Sequence, residues 1–146
     1  LMIKKIKLLL TIFLCLMNAD FLFAENNFFK EGKKKYDEQK YNDSKFLFQR
    51  NIVFNPKDTN SYLYLAKIYN TEENNEEVEK NINTVLLLDP KNEDAIYMLM
   101  EIELKKSNYS RVKELEKNFS KICIKLCKKK DSILDKLKNL EPKNES

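Results

Sequence analysis

The sequence predicts an all-α fold of stacked antiparallel helix pairs, and three observations predict it. Apolar residues recur at steps of three and four along most of residues 25–140, the spacing that gathers them on one face of a helix. One glycine and three prolines among 146 residues leave little material for the tight turns that sheets require. The pattern also repeats. Shifting the frame by 34 residues aligns Phe28 with Tyr62 and Ile96, Gly32 with Ala66 and Met100, Ser44 with Val78 and Val112, Tyr41 with Asn75 and Tyr109, and Pro56 with Pro90. One helix pair of this size cannot bury its own apolar face, so repetition implies stacking.

The clearest unit is 59–92. Tyr62, Leu65, Ala66 and Tyr69 form one apolar stripe, a polar break runs from Thr71 to Asn75, and Val78, Ile82, Val85 and Leu86 form a second stripe. Asp89-Pro90 closes it, because proline restricts the residue before it and cannot continue a helix. In the first unit, 25–58, a helix is expected over Glu25–Lys40, with Phe28, Gly32 and Tyr36 turned toward its partner. A glycine inside a helix costs about 0.5 to 1 kcal/mol relative to alanine, so Gly32 points to a close helix crossing. The second helix is expected over Tyr41–Phe54, anchored by Phe46, Phe48 and Ile52 and ended by Asn55-Pro56.

The third unit, 93–128, opens with Ile96, Leu99, Met100 and Leu104 on its apolar face. It is the most divergent: Met100 is large for its column, Glu116 stands at a packing position, and Ile124 occupies the place of a third proline. From Tyr109 the stripe Val112, Leu115, Phe119, Ile122 and Leu126 lengthens without interruption, with a bend expected at Lys128–Lys130 and Asp131-Ser132. Ile133, Leu134, Leu137 and Leu140 then give a short amphipathic helix, 131–140, suited to cap the last repeat. The alternative is one continuous helix whose near-heptad stripe serves self-association. Residues 141–146 are expected to be a disordered tail.

Tyr62, Leu65, Ala66, Tyr69, Val78, Ile82 and Pro90 resemble the tetratricopeptide repeat (TPR), with its aromatic, Leu, small, Tyr, small, aromatic and Pro positions. The resemblance implies a right-handed superhelix of about three TPR-like repeats with a C-terminal capping helix. It also implies a concave groove built from the first helix of each repeat. By that resemblance the partner-binding residues would be Phe29, Lys33 and Tyr36, then Leu63, Tyr64, Lys67 and Asn70, then Tyr97, Met98, Glu101 and Leu104. The family's clamp for a terminal carboxylate is not expected, since Phe29, Tyr64, Asp94 and Met98 hold most of the matching places.

Residues 1–24 read as a secretory signal peptide. Lys4, Lys5 and Lys7 make a basic start, Leu8–Met17 an apolar run, and Ala24 a cleavage point. An exported chain, periplasmic or envelope-associated, is expected; the alternative is an uncleaved membrane anchor. Leu14 before Cys15 and the apolar Leu16 and Met17 after it argue against lipidation.

Composition narrows function further. With no His, no Trp and one Gly, the chain lacks material for histidine catalysis, the usual zinc sites and phosphate-cradling loops. The acidic stretch Glu72, Glu73, Glu76, Glu77 and Glu79 has no glycine for a calcium loop and reads as helix-start chemistry. Cys123 and Cys127 sit four apart, where helical Cβ atoms are roughly 5 to 6 Å from each other. An intrahelical bridge would need distortion, so they read as small packing residues, with an intermolecular or redox role as the alternative. The formal charge of +4 includes +2 from the leader, and the remaining +2 implies no polyanion partner, nucleic acid included. No metal, cofactor or catalytic residue is expected. The expected function is a non-enzymatic adaptor binding a peptide or helix of a partner protein, the alternative being a structural subunit of an envelope assembly.

Overall fold

A computed structural model describes residues 27–140; the leader and the tail lie outside the described residues. Within them the chain forms helices and turns and no strand. We label residues 27–37 α1, followed by α2 (Tyr41–Phe54), α3 (Thr59–Thr71), α4 (Asn75–Leu88), α5 (Glu93–Lys105), α6 (Tyr109–Ile122) and α7 (Lys129–Leu140). The 34-residue offset governs the backbone: α2, α4 and α6 begin and end in step, and so do α3 and α5.

The turns show why. Gln39, Glu73 and Ser107 have positive φ of 59°, 56° and 58°. The next residue's N–H reaches back five places each time, Lys40 to Lys35, Asn74 to Tyr69 and Asn108 to Glu103, at 2.9, 3.0 and 2.9 Å. This is a Schellman ending in each repeat, made without glycine. Asn74 and Asn108 then cap α4 and α6 by accepting from the N–H of Glu77 and Arg111. The opposite turns repeat as well: Asn55-Pro56-Lys57-Asp58 and Asp89-Pro90-Lys91-Asn92 are each closed by an N–H to C=O bond of 3.1 Å between first and last residue.

The chain divides into two compact units within α3, between Ser61 and Tyr62. In the first, α1 and α2 cross at Gly32, whose carbonyl accepts from the buried Ser44 hydroxyl at 2.8 Å. Phe28 stacks on Phe54, and Phe29 and Tyr36 meet Phe48 and Tyr41. Asn51, also buried, donates through Nδ2 to Asp58 and to the Ser61 hydroxyl, and that hydroxyl donates to Asp58. Phe46 is not an anchor: it is 59% exposed, while Ser44, Phe48 and Asn51 hold the inward face of α2.

In the second unit α5 is the central helix, packed against α4, α6 and α7. Its core joins Ala66, Val78, Ile82, Val85, Ile96, Met100, Val112 and Phe119 to Ile133 and Leu137 of α7. The repeat columns are buried here: Ala66 and Met100 in one, Val78 and Val112 in another.

Two expectations fail after Phe119. The long helix ends at Ile122, and the bend lies at 123–128, not at 128–132; Lys129 to Ser132 already belong to α7. Cys123 and Cys127 form a disulfide, with Cα atoms 5.2 Å apart. The distortion that argued against a bridge is supplied by the chain leaving the helix, since Cys123 is the extended C-cap residue of α6. A single continuous helix for self-association is therefore absent.

Candidate interaction surface

The first helices of the repeats carry the predicted partner-binding residues. In the first unit, Phe29 packs against Phe48 and Tyr36 against Tyr41, so both rings serve the α1–α2 contact as well as its surface. Lys33 is exposed and pairs with Asp37 at 2.7 Å.

In the second unit the face is built from α3, α5 and α7. Lys67 lies 5.5 Å from the Tyr64 ring and pairs with Asp94 at 3.2 Å, tying α3 to the start of α5. On α5, Tyr97 donates to Glu101 at 3.2 Å. Lys129 of α7 sits 4.8 Å over the Tyr97 ring, and Lys136 reaches Glu101 at 2.9 Å. The bond to Glu101 holds Lys136 charged to higher pH than usual, and desolvation, then the Glu101 charge, raises the Tyr97 phenol. Beside them opens a cleft of about 340 Å³ lined by Asn70, Glu101, Ile102, Leu104, Lys105, Lys136 and Leu140.

The structure thus brings Asn70, Glu101 and Leu104 to one cleft, with Tyr97 outside its lining but bonded to Glu101. Leu63 and Leu104 both belong to the core, at 7% and 5% exposure, and of the two only Leu104 lines the cleft. Met98 is half-buried against the same core. Lys105 and Lys136, which line the cleft, escaped the sequence reading. Lys105 lies in the last turn of a groove-forming helix, whereas Lys136 enters only because α7 docks there.

Neither a family model nor a curated protein matches this sequence. Solved structures do. The TPR2B domain of yeast Sti1, in a complex with pHsp70, superposes with a TM-score of 0.73 at 14% identity, covering 82% of this chain and 99% of that one. The type III secretion translocator chaperone SycD of Yersinia enterocolitica gives 0.70 at 16% identity over 78% and 83%. SycD in complex with a peptide of the translocator YopD gives 0.67 at 14% identity over 79% and 90%. The chain has the tetratricopeptide-repeat fold.

Where the chain departs from its own repeat is the junction after α6. Proline closes the first two repeats, but the third closes on a carboxylate. Glu93, the first residue of α5, accepts from the backbone N–H groups of Ile124, Lys125 and Leu126 at 2.7 to 3.2 Å. Those bonds, led by the one from Leu126, hold its pKa below the ordinary 4.5 despite some desolvation. The disulfide brackets the same three residues. The missing proline at Ile124 was the sequence signal for this change.

Proposed function

We propose that the chain is a non-enzymatic protein–protein interaction module that takes a peptide or helix of a partner along the face of α3, α5 and α7. The observation that carries this reading is the cleft at Asn70, Leu104 and Lys105. Its apolar wall of Ile102, Leu104 and Leu140 suits a partner's aliphatic side chain, while Asn70 and Lys105 offer exposed donors to backbone carbonyls or a carboxylate. That the Sti1 domain and SycD are seen with pHsp70 and a YopD peptide supports a peptide as the partner class. Tyr64 and Tyr97 of the same unit are its further candidate contacts.

An exported adaptor, periplasmic or envelope-associated, is the cellular form of this proposal. The basic and apolar leader supports it, and so does the Cys123–Cys127 disulfide, which persists in oxidising compartments. A photo-crosslinking residue at the exposed Asn70 is expected to trap one partner, and Lys105→Glu to weaken that trapping. Equal trapping from Asn83, on α4, would overturn the assignment.

One observation favours a structural subunit instead. Val53 and Leu87, 34 residues apart at equivalent places in α2 and α4, are 77% and 82% exposed. A permanent neighbour would cover them. A chain that stays monomeric and soluble alone supports the adaptor, and one that purifies only with its neighbour supports the subunit.

A further inference from the structure

The near balance of charge along the chain conceals a segregation. Residues 105–140 contain 12 Lys and Arg against 4 Asp and Glu, a net charge of +8. The densest part is the disulfide loop and its flanks. Cys123 and Leu126 turn inward onto the core, so the intervening residues are presented outward. Ile124 is 85% exposed, and Lys121, Lys125 and Lys128 around it are exposed too. None of these three lysines makes an ion pair among the described residues. The Glu93 carboxylate behind the loop is already committed to three backbone N–H groups. The disulfide and those bonds fix the loop from within, which makes the bare isoleucine part of a held shape.

We propose that the 123–128 loop is a docking surface for an anionic lipid bilayer, with Ile124 entering the headgroup–acyl boundary and Lys121, Lys125 and Lys128 meeting anionic headgroups. A bare aliphatic side chain flanked in the chain by exposed lysines has complements in a bilayer that a soluble polyanion lacks. Nucleic acid offers the charge but nothing for the isoleucine, and the loop has no aromatic ring on which a base could stack. Basic residues close to an anionic leaflet each strengthen binding about fivefold, and the attraction decays within a Debye length. Three lysines therefore give a weak, salt-sensitive contact, and the isoleucine adds dependence on an acyl phase.

The chain contains no tryptophan, so Ile124→Trp in the full chain is a reporter confined to the loop. Its emission is expected to move to shorter wavelength on phosphatidylcholine vesicles containing phosphatidylglycerol and to remain unchanged on phosphatidylcholine alone. High salt should reverse the shift, and Lys121→Glu, Lys125→Glu and Lys128→Glu together should abolish it while the helical circular dichroism is retained. Because the probe reads position 124, insertion of the leader into either vesicle does not imitate the result. No shift on anionic vesicles, an equal shift on neutral ones, or a shift only with duplex DNA or polyglutamate would each overturn the proposal.

Discussion

The ring of Phe48 rests directly on the backbone of Gly32: a Cβ added to that glycine would lie 2.9 Å from Cε1 of the ring. Phe48 is fully buried, so its ring has little room to move aside. Gly32→Ala is expected to lower stability despite alanine's better helix propensity. Overpacking a core costs about 1 to 3 kcal/mol, against about 1 kcal/mol gained in the helix. A thermal melt reads the sign. A raised midpoint would mean that α1 and α2 can separate at no cost.

Ile133 is the α7 side chain buried most completely, within the core shared with α5 and α6. Ile133→Ala should cost about 2 to 5 kcal/mol, read as a shifted urea midpoint. An unchanged midpoint would show α7 to be dispensable to the packing of α5.

Reducing the Cys123–Cys127 bridge, or replacing both residues by serine, removes a constraint on a very short loop. The expected loss is at the lower end for disulfides, about 2 kcal/mol. Thermal midpoints with and without dithiothreitol should differ, and trypsin should cut at Lys125 and Lys128 sooner in the reduced chain. Identical behaviour would show that the Glu93 contacts alone hold the loop.

Glu93 gives a pH prediction whose sign follows from its lowered pKa. The stability it contributes is fully present above the ordinary value of 4.5 and is lost as pH falls through the lower folded value. The amide resonances of Ile124, Lys125 and Leu126 should titrate together with a midpoint below 4.5, and Glu93→Gln should remove the step. Independent titration of the three amides would contradict a common acceptor.

Much of this was legible in the sequence because side-chain spacing and backbone register share one period. Gly32, Ala66, Val78 and Val112 were readable as packing residues, since helix contacts impose volume limits at fixed intervals. The turns were less legible. Gln39, Glu73 and Ser107 take a conformation usually given to glycine, and no residue type marks it. Phe46 misled because hydrophobicity alone does not say which way a helix faces, whereas Ser44 and Asn51, polar by type, hold the interior of α2. Cys123 and Cys127 were placed on a helix by a continuous apolar pattern, yet their bridge belongs to a chain that has left it. Of the candidate surface, Asn70, Glu101 and Leu104 came from repeat position, but Lys136 depends on how α7 docks.

The bond from Leu126 to Glu93 spans 33 residues, one short of a full repeat. In a chain made from its N-terminus, at roughly 5 to 20 residues per second, the carboxylate waits about two to seven seconds for the amides that complete it. The two earlier repeats close on prolines a few residues from their own helix ends and need no such delay. The last repeat is therefore the one whose closure is set by the clock of translation, and a nascent chain stalled before Ile124 would present α5 and α6 unfastened to whatever meets it first.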